Sequence, residues 1–579
     1  VNQRTLKIIS AALLGVAILL FLGYFGIYAR YTAALLQFPF DYDQGEGFEL
    51  NDSVLMARGE WPYRSNEVYP FYASNYPPLY HVLLVPFVWV FGPAYWYGRL
   101  VAFLTTLVTA SAIGYAVHRA SRDKPISLLA GLAFLASNYV YHIGPLFRQH
   151  IVMVMFETLA VVILAPLAHQ SSNSRDKANP VIPSGAVPRG ISTTDAEIPR
   201  RGQSARPHLG MTSSEISRLF WGLLCLLAAG YTKQLAYATV AVALLFVLGR
   251  GVKRGLVASV AFTAVAASLF GLLNLATGGQ WWVNIILANI NEFIPGQAEG
   301  LFRQWYDLHL ILIWLAVAWV VLELARRRLP LYALWFAGAT ANGALSGKWG
   351  AGESYFTTSI AAMCICAGLL IAEWRGRSKS WPAVAQWATA IAIPALFIAQ
   401  AGRLVHMPTQ GRLFEPVARA LSLPADQIFE PRGFVDVGGV GMFIDSEGRM
   451  QYYDSQGYSQ LGRPPNRIDI EQGHKILEYT KAVDGPVLTE EAAFALLAGH
   501  EQVGNPTQLL NLAKNSMLDS RAMVDMINAQ AFDIIVLKAE FYPRPVLVAI
   551  GQNYEPVETI IMNGFNYRVL KPKGANHVP

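Results

Sequence analysis

Long apolar runs recur from Leu6 to Ala401 and then stop. About 20 consecutive apolar residues is the length of a helix that crosses a bilayer. In hydrocarbon every backbone N–H and C=O must be satisfied within the structure, which leaves helices as the solution for runs of this kind. The chain therefore reads as a polytopic α-helical membrane protein over residues 1–402, followed by a soluble segment, 403–579. Charged residues make up only 15%, against about 25% in soluble domains. The predicted spans are 6–28, 95–118, 126–141, 150–168, 219–233, 234–249, 255–276, 308–325, 330–346, 355–373 and 382–401. The first exceeds a signal-peptide core and shows no small-residue cleavage pattern, so it reads as a retained span. Leu79–Phe91 is apolar but short, and Pro77-Pro78 starts it as an interfacial or re-entrant helix.

Loop charge sets the expected orientation. The groups Arg119/Arg122/Lys124, Arg250/Lys253/Arg254, Arg326/Arg327/Arg328 and Arg375/Arg377/Lys379 all fall on one side if Leu79–Phe91 does not cross. By the positive-inside rule that side is cytoplasmic. The N-terminus then lies inside a plasma (inner) membrane, and the long first loop and the C-terminal segment lie outside. Residues 170–216 are rich in Ser, Pro, Arg and Gly and read as a disordered inner loop unable to bury a core. The C-terminal segment mixes helix-like stretches (471–483, 490–498) with strand-like ones (486–489, 532–537, 567–570), which argues a small α/β domain. It carries no nucleophile elbow, P-loop or dinucleotide fingerprint, and its expected role is structural or acceptor-contacting. Cys225, Cys364 and Cys366 lie in apolar runs without metal or disulfide spacing. No basic stripe suggests a nucleic acid.

Polar residues of chemical interest gather on the outer side. Asp41, Asp43 and Glu46 fall within six residues, on a Gly-loosened turn just after the first span. Carboxylates beside hydrocarbon are costly and mark a functional site. Such a group takes a proton from an attacking hydroxyl or holds a hard cation. Asp41 and Asp43 are the candidate metal ligands, with Mg or Mn as the cation. The competing reading is a solvated acidic loop. An amphipathic helix, Phe48–Ala57, and an aromatic passage through Tyr76 follow. Arg148-Gln149-His150 opens the span at 150–168, and Arg148 is either a phosphate clamp or a snorkelling anchor. Lys233, in Thr232-Lys233-Gln234, interrupts an apolar stretch and is either an anion ligand or an interfacial lysine. Gly347–Tyr355 is a Gly-rich turn carrying Lys348, Glu353 and Tyr355, and it could equally be a plain connection. Asn284, Asn289 and Asn291, near Trp281-Trp282, are a weaker sugar-contacting signal. The histidines, His81 among them, show no metal-ligand spacing and read as structural.

On these residues the chain resembles the GT-C superfamily of membrane glycosyltransferases. The branch is that of the family 39-type proteins, the protein O-mannosyltransferases and the lipid A aminoarabinose transferases. The resemblance rests on Asp41-Tyr42-Asp43-Gln44-Gly45-Glu46-Gly47, Tyr76-Pro77-Pro78-Leu79-Tyr80, Arg148, Thr232-Lys233-Gln234 and Gly347 to Tyr355, in the family's order over residues 1 to about 400. It implies transfer of a sugar, a hexose or pentose, from a polyprenyl-phosphate or polyprenyl-diphosphate carrier to a glycan, lipid or protein acceptor on the outer face; inversion would follow from a single displacement. It further implies Asp43 or Glu46 as the base with Asp41 completing an Asp-x-Asp pattern, and Lys233, Lys348 and Arg148 on the donor phosphate. Tyr76, Gln234, Glu353 and Tyr355 would contact substrate. The chain departs from the pattern in three places. Gln44-Gly45 separates acids that relatives carry side by side. Gly47 stands where many have Arg, and His150 where an acid follows Arg148. Two other classes remain open at this level, a lipid-linked sugar transporter or flippase and a non-catalytic membrane scaffold.

Overall fold

The computed structural model describes residues 3–167, 213–404, 415–420, 440–444, 450–454, 465–563 and 565–574. Its helices are α1 Gln3–Gln37, α2 Glu46–Ala57, α3 Leu79–Phe91, α4 Trp96–Ser121, α5 Lys124–Leu135, α6 Asn138–Ile143 and α7 His150–Leu164. Then come α8 Ser213–Thr232, α9 Tyr237–Arg250, α10 Val252–Ala276, α11 Gln280–Ile285, α12 Pro295–Ala325, α13 Leu331–Asn342, α14 Thr357–Ser378 and α15 Ala383–Arg403. A helix stands at every expected span. Six helical segments among the described residues are long and apolar enough to cross a bilayer: 4–37, 96–121, 252–276, 295–325, 353–378 and 383–403. The chain is a multi-pass membrane protein.

Several boundaries differ from expectation, each for a visible reason. The first helix runs on to Gln37 because Tyr31 and Leu35 are buried and carry it into the core. The expected span at 126–141 breaks at Ser137, which is extended, into α5 and α6. The segment 234–249 opens with a 3-10 turn, Gln234–Ala236, and α13 gives way to another, Gly343–Gly347. Irregular backbone at membrane depth is tolerated where it is buried in protein or lines a cavity. The breaks before α9 and after α13 both lie at the cavity described below. α12 starts at Pro295, well before the expected 308, because proline suits the first helical position. The low-complexity loop expected at 170–216 lies outside the described residues up to 212. Its last four residues, 213–216, are corrected to the first turn of α8, where Glu215 favours the positive helix end. His406 also lies outside the described residues.

Small residues set the packing of the bundle. Gly114 lies against the Ser127 carbonyl and Gly131 against that of Ala110, which brings α4 and α5 into backbone contact. α14 is the central helix, 83% of its apolar window being buried. Arg375 at its far end pairs with Asp123 at 2.6 Å, and Glu373 accepts from Arg326 at 3.0 Å. Three of the four basic groups therefore share one end of the bundle. The other end of α4, about 39 Å away at 1.5 Å per residue, carries Tyr95 and Arg99 beside the acidic turn.

The C-terminal part contains α16 Glu415–Ala420, the hairpin β1 Val440–Ile444 and β2 Met450–Asp454, α17 Arg467–Lys481, β3 Val487–Thr489, α18 Ala493–Leu496 and α19 Pro506–Lys514. It continues through α20 Arg521–Asn528, β4 Ile534–Leu537, α21 Arg544–Asn553, β5 Tyr554–Met562 and β6 Phe565–Pro572. Four strands form one sheet in the order β3-β4-β6-β5, with β3 and β4 parallel and the rest antiparallel. β5 escaped the sequence reading because a bulge between Pro556 and Glu558 breaks its alternation. The helix expected at 490–498 shrinks to α18. Glu490 leaves it to accept from the N–H groups of Ala539 (2.9 Å), Glu540 (3.1 Å) and Phe541 (2.6 Å). This part packs directly on the acidic turn. The Ala493 N–H donates to Asp41 Oδ2 at 2.9 Å, Asn563 Nδ2 to the Tyr42 carbonyl at 3.2 Å, and Phe494 stacks on Phe40 with ring centroids 5.5 Å apart.

Candidate active site

The acidic turn leaves α1 at Phe38 and re-enters helix at Glu46, and its three carboxylates part ways. Glu46 is fully buried and faces Arg99, itself fully buried at the start of α4. Glu46 Oε1 accepts from Arg99 Nε at 3.0 Å and from the Phe147 N–H at 2.6 Å; Oε2 accepts from Arg99 Nη2 at 2.6 Å and from the Tyr42 N–H at 2.9 Å. Arg99 also donates to the Leu35 and Phe40 carbonyls, each at 2.7 Å. Burial alone would raise Glu46, but Arg99 and the backbone donors hold it below the usual carboxylate range. Glu46 thus ties together α1, α4, the turn and the 144–149 loop, and it is absent from the cavity wall. Asp41 is also fully buried; its Oδ2 accepts from the Tyr95 hydroxyl (2.7 Å) and from Ala493. Burial pushes its carboxyl well up. The proposed catalytic roles of Asp41 and Glu46 are therefore not supported by placement: both act as knots in the fold.

Asp43 has a different setting: it too is absent from the cavity wall, but it pairs with a residue that lines it. Its Oδ2 accepts from Arg148 Nε at 2.6 Å and pairs with Nη2 of the same guanidinium. Burial raises its carboxyl and Arg148 opposes the rise. Arg148 Nη1 lies 3.9 Å from Glu49 Oε1. Arg148 lines a cavity of about 470 Å³, within the range of about 300–1,000 Å³ typical of small-ligand sites. Lys233, Lys348, Tyr76, Gln234 and Tyr355 line the same cavity, so six of the expected site residues converge. Glu353 does not; it sits in the 3-10 turn before α14.

The cations arrive from three breaks in helices. Lys233 stands in the turn after α8, its Nζ 4.9 Å from the Tyr76 ring centroid and 5.9 Å from that of Tyr355. Burial, then the Arg148 charge and, less, Lys348 pull Lys233 down to about 7. Lys348 Nζ donates to the Asn289 carbonyl at 2.8 Å, and burial lowers its pKa as well. Gln297 Nε2 secures the Gly-rich turn by donating to the carbonyls of Ser346 (2.6 Å) and Ala351 (2.9 Å). Burial lifts Tyr76 to about 12, which keeps it a neutral hydroxyl.

The glycines that distinguish this acidic turn have steric reasons. A Cβ on Gly45 would fall on the Arg148 guanidinium, and one on Gly47 would fall on Asp41 Oδ1 and against Ala492. An arginine at position 47 has no room. Gly45 has an ordinary helical φ of −84°, so Gly45→Ala acts through Arg148 and not through backbone strain. Displacing a positioning group by about 1 Å can cost about 100-fold. A loss of that order in turnover with an unchanged far-UV CD spectrum is expected for Gly45→Ala.

The sequence reading missed Glu49 and Asp52 and took His81 as structural. Glu49 and Asp52 line the cavity. The signal was present, since acids at 46, 49 and 52 recur at helical i, i+3 spacing on one face of α2. His81 Nε2 shares a 2.6 Å hydrogen bond with Glu49 Oε2 and lies 3.6 Å from Asp52 Oδ2. The Tyr72 hydroxyl donates to Asp52 Oδ1 at 2.8 Å. The expected metal pair, Asp41 and Asp43, does not fit a cation, because each Oδ2 is engaged and a guanidinium sits on Asp43. Among the described residues, Glu49, Asp52 and His81 bring three metal-capable atoms within 4.8 Å of one another. This trio would hold a divalent ion where one is used, its carboxylates suiting Mg or Mn and its imidazole a later transition metal.

No protein-family model matches the chain, and no curated protein matches it. Solved structures do. The crystal structure of ArnT from Cupriavidus metallidurans bound to undecaprenyl phosphate aligns over 96% of this chain and 98% of that one, with a TM-score of 0.54 at 13% identity. The chain has the GT-C fold. The apo form of the same ArnT aligns over 95% and 97%, with a TM-score of 0.52 at 13% identity. The alignment takes in the C-terminal part as well as the helices. The shared GT-C fold therefore takes in the bundle, the long first loop and the appended sheet together.

Proposed function

We propose that the chain transfers a sugar from a polyprenyl-phosphate-type donor to an acceptor hydroxyl at this cavity. The observation that carries the reading is the convergence of Arg148, Lys233 and Lys348 on one cavity, with the buried carboxylate of Asp43 bonded to Arg148 behind the wall. Three cations gathered at one cavity suit a phosphate, which can claim Arg148 from Asp43. The undecaprenyl phosphate bound by ArnT, which shares the fold, supports a carrier of that class.

In this reading Lys233, Lys348 and Arg148 stabilise the negative charge that grows on the departing phosphate. Asp43 takes the proton of the acceptor hydroxyl as its oxygen bonds to the anomeric carbon. The bond from that carbon to the phosphate oxygen breaks in the same displacement, so the product is inverted. A residue bearing a raised carboxyl pKa and held by an arginine is ready to accept that proton once the phosphate claims the arginine. The cavity faces the outer side and the basic end faces the cytoplasm. Membrane lipids surround the bundle, and the acceptor is a glycan, lipid or protein.

Lys233 gives the reading a pH signature. In the free protein it faces Arg148, Lys348, Glu49, Asp43 and His150 and titrates near 7. A bound phosphate favours its protonated form, so above pH 7 binding takes up a proton and weakens as pH rises. The slope approaches tenfold per unit, while below pH 7 this lysine adds no dependence. Titrating polyprenyl phosphate against detergent-solubilised protein from pH 6 to 9 reads the slope. Lys233→Arg, which stays protonated, should flatten it.

A further inference from the structure

We infer that α19 and two glutamines of the membrane part form a hydroxyl-reading wall that recognises the donor sugar itself, an uncharged polyol rather than an amino sugar. The inference rests on the proposed carrier chemistry and adds the sugar to it. α19 reaches the cavity with Asn505, Thr507, Gln508 and Asn511, all uncharged. Leu509 of the same helix is anchored in the C-terminal core with Met523 and Ile527.

The amide orientations are fixed by their neighbours. Asn284 Nδ2 donates to the carbonyls of Arg64 (2.9 Å) and Gln280 (3.0 Å), so its Oδ1 must accept. It accepts from Gln508 Nε2 at 2.7 Å, which turns Gln508 Oε1 away. Gln234 Nε2 donates to the Asn75 carbonyl at 3.2 Å, which likewise fixes its Oε1 as a free acceptor. Asn511 Nδ2 is spent on the Ala288 carbonyl at 2.8 Å. Among the described residues, Gln508 Oε1, Gln234 Oε1 and both polar atoms of Gln44 are buried without a hydrogen-bond partner, and all three glutamines line the cavity.

Buried acceptors without donors are costly and call for a ligand that supplies them. An ionised phosphate only accepts, and a prenyl chain does neither. A hydroxyl donates and accepts, so a sugar satisfies these amides where the rest of the carrier cannot. An ammonium could donate too, but it would meet the charges of Arg148, Lys233 and Lys348. The acidic members of the wall, Glu49 and Asp52, are already engaged by His81, Tyr72 and Arg148.

The hydroxyls could come from the donor sugar or from an acceptor glycan, and binding without acceptor separates the two. The probes are polyprenyl phosphate and its glucosyl and glucosaminyl esters, titrated against the full chain in detergent. The wild type should bind the glucosyl ester more tightly than the glucosaminyl ester. Gln508→Met and Gln234→Met, on separate elements so that one folding failure does not decide the matter, should each weaken the glucosyl ester about tenfold. Both should leave the bare phosphate unchanged. Equal loss for bare and glucosylated carrier, no loss for either, or a change confined to the acceptor's KM would overturn the inference. Failure of the wild type to bind even bare polyprenyl phosphate would instead overturn the carrier reading beneath it.

Discussion

Asp43→Asn is expected to lower turnover by about 10²- to 10⁴-fold, the range for loss of a general base, while polyprenyl phosphate still binds. Asparagine keeps the size of the side chain but cannot take a proton. It also releases Arg148, whose Nε now donates to Asp43 Oδ2 at 2.6 Å. Carrier affinity should therefore hold or rise as kcat collapses, and this split separates a base from a structural acid. Single-turnover transfer together with equilibrium carrier binding reads both quantities. Full turnover in Asp43→Asn would remove the assignment.

The second large effect concerns stability. Arg99→Met and Glu46→Gln should each destabilise the fold by about 3–5 kcal/mol, because breaking a buried ion pair leaves one partner uncompensated. Glu46 and Arg99 are both fully buried and hold four chain segments through the bonds described above. The double variant should recover part of the loss, since replacing both charges is far cheaper than removing one. Denaturation of the four proteins in one detergent measures the cycle. A wild-type-like melting curve for Glu46→Gln with lost turnover would return Glu46 to the chemistry.

The helical bundle was legible because apolar runs and loop charge are local signals. Where it misled, the cause was long-range. Nothing near Glu46 in sequence reveals that Arg99, 53 residues on, claims its carboxylate. Asp41 is likewise claimed by Tyr95 and by Ala493, 452 residues away. Lys233 was found because a charge interrupting an apolar stretch is conspicuous, Arg148 because it opens a span, and Lys348 because it sits in a Gly-rich turn between spans. His81 was read as structural because its partnership with Glu49 spans 32 residues and no short motif marks it. The amides of α19 were invisible for a further reason. Asparagine and glutamine are unremarkable in a soluble segment until packing brings them to a cavity edge.

The most direct test of the account is where the carrier's phosphate binds. A structure of the protein with polyprenyl phosphate should place its oxygens within hydrogen-bond distance of Lys233, Lys348 and Arg148, with Arg148 shared with or drawn from Asp43. A phosphate bound elsewhere, or one that contacts none of these three, would contradict it.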